Sequence, residues 1–189
     1  MNAMDPAATA EAELFDDVLS CDLVLPAQFL PGAEVKRPGA SEMLLRSVAM
    51  VEDARTTDDG EERTDNSAQL QRLEARMDLV LVLLGRLLQD SVQAPASTAL
   101  RWSRRGLRID QAAPRAPEAG TTGVLRLQPA EWLPDQIELP VTVLATAGSV
   151  QGCQLWLRLD PVSEPLASAL DKHLFRLHRK QIADSRRNR

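Results

Sequence analysis

Across residues 67–92 apolar side chains return every three or four positions, at Leu70, Leu73, Met77, Val80, Leu84 and Leu87. This is the a/d repeat of a coiled-coil seam, and it predicts one long helix with these six residues as its oligomerisation surface. At 1.5 Å per residue such a helix runs about 40 Å, longer than a small domain needs. Leu79, Leu81, Leu83 and Leu88 make a second stripe, so the helix has to touch more than one neighbour. The Val-rich piece 78–84 by itself also suits a strand. The repeat begins before that piece and continues after it, which favours the helix.

Beyond Gln93 the texture changes, and Pro95 ends the helical pattern. Short alternating pieces follow at residues 99–102, 106–109, 122–127, 137–146 and 150–159, separated by Gly, Pro and Ser. Regularly spaced short strands predict a small antiparallel barrel. Alternation turns Leu100, Trp102, Leu107 and Ile109 inward and Arg101 and Arg108 outward. After Asp160-Pro, Ser163 is placed to cap a last helix with Pro165 in its first turn, where a missing N–H costs little. Leu166, Leu170, Leu174, Leu177 and Ile182 form its apolar stripe, and the arginines at its end complement the helix dipole.

Upstream, residues 1–13 are Ala-rich and acidic and are expected to be disordered. Residues 14–36 hold short apolar pieces broken by Pro26 and Pro31, which read as an extended docked arm. Ser41 is a candidate N-cap for a helix to about residue 55, carrying Leu44, Leu45, Val48 and Val51. A polar loop, 56–66, then leads into the heptad helix. The domain reading is therefore an acidic, partly disordered arm over 1–40, a two-helix oligomerisation region over 41–92, and a barrel with its C-terminal helix over 93–189. The fold class is α+β.

Charge is unevenly spread. Residues 1–65 hold 15 acids and 5 bases, a net −10, whereas 163–189 hold 3 acids and 7 bases, a net +4. An acidic head and a basic tail point to contacts within or between subunits. Polymeric nucleic acid is disfavoured by the total of −5 and an aromatic content of only 3 %, too few rings for base stacking. Cys21 and Cys153 have no disulfide or zinc spacing. The N-terminus lacks the basic start and apolar core of a signal peptide, and the longest apolar run, 79–84, is too short to span a bilayer. A cytoplasmic protein without a membrane span is expected. His173 and His178 are five apart and share no helix face, so no metal site is expected; nor is there a nucleophile–His–acid motif, P-loop or dinucleotide Gly pattern. The chain is read as having no catalytic residues and no enzymatic activity.

From about Ala99 to the end, the order of elements resembles a PilZ domain. Three places carry the likeness. The turn within Arg101-Trp-Ser-Arg-Arg-Gly106, followed by an apolar strand, is similar to the family's Asp/Asn-x-Ser-x-x-Gly motif. Gly152-Cys-Gln-Leu-Trp-Leu-Arg-Leu159 stands where the family has its Gly-leading last strand, and Leu-Phe-Arg-Leu-His-Arg-Lys180 resembles its terminal helix. The resemblance implies a six-stranded barrel in cyclic di-GMP signalling. It also implies a ligand site made by an Arg-x-x-x-Arg clamp and the Asp/Asn-x-Ser-x-x-Gly turn. Guanidinium forks suit phosphates, and a carboxylate or amide oxygen accepts from a guanine edge.

The candidate ligand-binding residues are thus Arg72, Arg76, Arg101, Ser103 and Gly106. Two departures weaken that site. Arg101 stands at the Asp/Asn position and has no acceptor to offer. Arg72-Leu-Glu-Ala-Arg76 lies inside the heptad helix, where its arginines also read as surface charges beside Glu74 and Asp78. Ser103 and Gly106 also fit a plain hairpin turn with Gly at positive φ, and Arg101, Arg104, Arg105, Arg108 and Arg115 a solvated barrel face. The expected function is a non-catalytic PilZ-type adaptor in cyclic-di-GMP-linked control of motility or virulence, with a degenerate nucleotide motif, no cofactor and an unidentified protein partner. A genuine cyclic di-GMP receptor and a structural coiled-coil scaffold are the alternatives. Two apolar stripes per helix favour a homotetramer over a dimer.

Overall fold

The computed structural model describes residues 5–37, 39–57, 95–112, 116–130, 132–133, 135–149 and 152–187, together with the helical residues Leu73, Met77 and Leu84. Most of the heptad reading, including Leu70, Val80 and Leu87, lies outside the described residues, as do Arg72, Arg76 and Arg115. The elements are α1 (Pro6–Phe15), β1 (Ser20–Pro31), α2 (Ala40–Thr57), β2 (Ser97–Ser103), β3 (Gly106–Gln111), β4 (Thr122–Leu127), β5 (Ile137–Ser149), β6 (Gly152–Leu159) and α3 (Glu164–Arg187).

The six strands close into a barrel in the order β1-β2-β3-β6-β5-β4, with every pairing antiparallel. Period-two alternation holds as read: Leu100, Trp102, Leu107 and Ile109 are all buried inside, with Arg101 and Arg108 on the outer face. The ends of β2 to β6 fall within a few residues of the expected ones, because Gly, Pro and Ser punctuate them locally.

The first strand is a correction. Residues 20–31 do not form an arm docked on the barrel; they are one of its staves, so the barrel is not confined to 93–189. β1 pairs with β2 from Ser20 to Pro26 and with β4 from Ala27 to Pro31. Pro26 sits where the strand passes from one neighbour to the other and Pro31 at its end, the positions where a missing N–H is tolerated. Past the end of the β2 pairing, the Gln111 side chain substitutes for a strand neighbour. Its Oε1 accepts from the Phe29 N–H at 2.7 Å and its Nε2 donates to the Phe29 carbonyl at 3.3 Å.

Two helices cover this core. α3 buries Leu166, Leu170 and Leu174 against it, while Leu177 is partly buried and Ile182 is exposed. Ser163 accepts from the Leu166 N–H at 3.4 Å, as expected of its cap position. The Cys21 thiol donates to the Leu174 carbonyl, and Gln181 to that of Asp22, tying α3 to β1. α2 contributes Leu45 and Val48. Ser41 does not cap α2, which begins at Ala40. Instead its hydroxyl accepts from the Glu138 N–H at 2.9 Å and faces the Glu138 carbonyl at 3.0 Å, fastening the helix to β5. Arg176 of α3 faces Glu52 of α2 at 3.4 Å.

His173 is fully buried against Trp102, with ring centroids 5.7 Å apart and Nε2 3.2 Å from the Pro129 carbonyl. Burial, and then the charge of Arg176, push its pKa down to about 4, against the opposing pull of the Pro129 carbonyl. The folded protein therefore keeps this ring neutral where the unfolded chain takes up a proton. Its contribution is fully present above about pH 6.5 and drains away as pH falls towards about 4. The whole window is worth roughly 3 kcal/mol. Urea unfolding at pH 7 and pH 4.5 should show that loss in the wild type and a clearly flatter profile in His173→Gln. An identical pH dependence in the variant would assign the acid sensitivity elsewhere.

Candidate functional site: the barrel turn and the helix that covers it

Three outward-facing side chains stand side by side across three adjacent strands. Arg101 on β2 is the register partner of Arg108 on β3, which is the register partner of Trp156 on β6. Two like charges directly opposite each other repel, and the row needs an anion. α1 supplies it. Glu11 Oε1 accepts from Arg101 Nη1 at 2.9 Å and from Arg108 Nη1 at 2.8 Å, and Oε2 accepts from the Trp156 indole N–H at 2.7 Å. Burial alone raises the Glu11 pKa. The Trp156 hydrogen bond and the two guanidiniums outweigh it and hold the carboxyl below its ordinary value.

Arg101 and Arg105 make further contacts around this helix. Arg101 also donates to the Ser20 hydroxyl, through Nε at 3.2 Å and Nη2 at 3.1 Å, and lies 4.6 Å from the Phe15 ring centroid. Arg105 donates to the carbonyls of Glu13 at 2.9 Å and Asp16 at 3.1 Å, placing positive charge on the open C-terminal end of α1. Below these contacts Ala10, Leu14 and Phe15 pack on Ala145 and Trp156. A bulge in β5 at Val143/Ala145 sets Ala145 opposite Trp156.

The turn itself is closed. Ser103 is fully buried; its hydroxyl donates to the Leu14 carbonyl at 2.6 Å and accepts from the Arg105 N–H at 3.1 Å. Gly106 is not among the glycines at positive φ, so the expected reason for a glycine here is corrected. The reason is crowding: a Cβ would lie 2.1 Å from the Leu157 carbonyl oxygen and 2.9 Å from Leu14 Cδ2.

The structure thus brings Arg101, Ser103 and Gly106 together as the sequence placed them, and engages all three with α1 or its packing. The solvated-face reading is corrected for Arg101 and Arg108, which are ion-paired with Glu11. The disordered N-terminal stretch is also corrected: residues 6–15 are a helix, opened by Asp5, whose side chain accepts from the Ala7 N–H. Sequence reasoning missed Glu11, Leu14, Phe15 and Trp156. One signal was available in Leu155-Trp156-Leu157. Three apolar residues in succession break the alternation of a half-buried strand, so something must cover the outer face.

Comparison with known proteins bears on this geometry. A family model described as an atypical PilZ domain, cyclic di-GMP receptor, matches residues 45–187. The chain belongs to this atypical PilZ family. A solved structure of a pathogenic protein from Xanthomonas campestris is 47 % identical, covers 94 % of this chain and 97 % of its own, and superposes with a TM-score of 0.79. That protein is described as a new tetrameric PilZ domain self-assembled via an unusual helical bundle. No curated protein matches the chain. The PilZ match begins at Leu45, so α1 and β1 lie ahead of it, although β1 completes the PilZ barrel and α1 covers its turn. Among the described residues no helix is long and apolar enough to cross a membrane.

Proposed function

We propose that this PilZ chain is a non-catalytic cytoplasmic adaptor in cyclic-di-GMP-linked regulation such as motility or virulence control. It works through protein contacts and not through nucleotide binding at the barrel turn. The observation that carries this reading is Glu11. The chain's own carboxylate already takes the two guanidiniums of Arg101 and Arg108, and Ser103 is buried against Leu14. An incoming nucleotide would meet an arginine where the family's motif has an acceptor, and a helix over the turn. Calorimetry with cyclic di-GMP is expected to show no binding up to about 100 μM, a ligand level whose midpoint corresponds to little more than 5 kcal/mol. Micromolar or tighter binding that disappears in Arg72→Ala or Arg76→Ala would reject the adaptor reading in favour of a receptor.

The same reading includes self-association as a homotetramer, with a dimer as second choice. Leu73, Met77 and Leu84 are helical and exposed at 55 %, 59 % and 50 %, which leaves three large apolar side chains in water in a single chain. Their spacings of four and seven belong to one helix face. The tetrameric helical bundle of the 47 % identical Xanthomonas protein supports this arrangement. Four barrels on one assembly would give avidity for a clustered partner.

A further inference from the structure

α1 is held differently from every other element. Its apolar residues form a cluster of their own with Ala145 and Trp156, separate from the barrel core. It is ten residues long, too short to persist alone in water. Its first turn is well made, with Asp5 as cap and Pro6 behind it, but its last turn holds no base. Glu11, Glu13, Asp16 and Asp17 crowd that end, where a helix dipole disfavours negative charge. The missing positive charge comes from the barrel, through Arg105 on the terminal carbonyls and Arg101 and Arg108 on Glu11. The chain leaves α1 through Asp17 at φ 56, a left-handed conformation, and reaches β1 at Ser20. The helix is thus a small coupled folding-and-docking unit on a short tether, and its release would leave the barrel core in place.

The surface beneath it is also particular. A closed barrel has no free strand edge, so a partner cannot add a strand to it. The register-paired Arg101 and Arg108 require an anion, Trp156 offers one N–H in a fixed direction, and the apolar floor begins beside them. A carboxylate followed three and four positions later by apolar residues meets all three, as Glu11, Leu14 and Phe15 do. We propose that this row is a docking site for an acidic amphipathic helix of a partner protein, with α1 as its resident occupant and latch. The partner helix carries the same constellation, a carboxylate one turn ahead of two neighbouring apolar side chains, and binds by displacing α1. This rests on the adaptor reading and gives its contact surface and the chemistry of its partner. The tether keeps α1 at an effective concentration on the order of millimolar, so only a partner helix with further contacts, or one presented in several copies, opens the latch.

The test uses a fluorescein-labelled peptide of residues 5–19 added to the full-length chain. The wild type, its row already filled, is expected to show no saturable binding at tens of micromolar. Glu11→Arg in the full chain sets a third cation against Arg101 and Arg108 and releases α1. This variant is expected to bind the wild-type peptide at least 10-fold more tightly than the wild-type chain does. Adding Arg108→Glu should abolish that binding, and a peptide carrying Glu11→Arg should not bind at all. A folded Glu11→Arg chain that ignores the peptide overturns the proposal. Should that variant not fold, hydrogen exchange of the wild-type chain decides: α1 amides exchanging at least 100-fold faster than those of β3 and β6 show a separately opening latch, and equal protection rejects it. Cyclic di-GMP calorimetry on the wild type reports separately on the adaptor reading. Peptide failure without nucleotide binding removes only this site, whereas nucleotide binding removes the adaptor reading itself.

Discussion

Replacing Met77 and Leu84 together by glutamate should reduce the solution mass from that of the proposed tetramer to that of a single 20.8 kDa chain. Both side chains are on helical residues and expose half or more of their surface in the isolated chain, alongside Leu73. Burying a Leu or Met side chain is worth roughly 1.5–3 kcal/mol, and a closed tetramer would bury each of them in every copy. The double substitution replaces that gain in each helix with two carboxylates, whose desolvation costs several kcal/mol apiece when they are unpaired. Neither residue belongs to the barrel's core cluster, so the far-ultraviolet spectrum of the strands should be retained. Multi-angle light scattering at micromolar concentration measures the result. An unchanged mass would move assembly to another surface and withdraw the helix as its basis.

Gly106→Ala should destabilise the fold by about 3 kcal/mol, the upper end for an overpacked site. The added Cβ meets a backbone oxygen, that of Leu157, at 2.1 Å, with Arg158 Cα at 3.0 Å on the same strand. No rotamer change relieves a contact between two backbones, so β3 must draw away from β6, where Gly106 and Leu107 pair with Arg158 and Leu157. Leu14, 2.9 Å from the new atom, is pushed off as well, and with it the carbonyl that holds the Ser103 hydroxyl. For a chain of this size the melting temperature should fall by about 6–12 °C. Gly148→Ala is the control, since a Cβ there meets nothing within 4 Å and its φ is not in the left-handed region. It should leave the melting temperature within about 2 °C, in the range of ordinary surface substitutions. Equal melting temperatures for the two variants would remove the close approach of β3 and β6 as the reason for a glycine at 106.

The sequence by itself determined most of the barrel and its closing helix. Alternation in Leu100-Arg-Trp102 and Leu107-Arg-Ile109 set which side chains face inward, and Ser163 with Pro165 marked the start of α3. These signals are local: period two, turn residues and capping chemistry act within a few positions of the residues they organise. The outward direction of Arg101 and Arg108 was legible for the same reason, and so was the place of the PilZ-like turn. Only the tertiary structure decided what those arginines do. Their anion is Glu11, some ninety residues away in the chain, and its third contact, Trp156, is farther still. An Ala-rich acidic stretch such as residues 6–15 has too little apolar surface to predict a stable helix; it folds because the barrel supplies Arg105 at its C-terminal end and a floor for Leu14 and Phe15. β1 was hidden in the same way. Pro26 and Pro31 argue against a continuous strand until its two partners are known, because one proline falls where β1 passes from β2 to β4 and the other at its end. A missing N–H is costly or harmless according to what lies beside it, and for these residues that neighbour comes from distant parts of the chain.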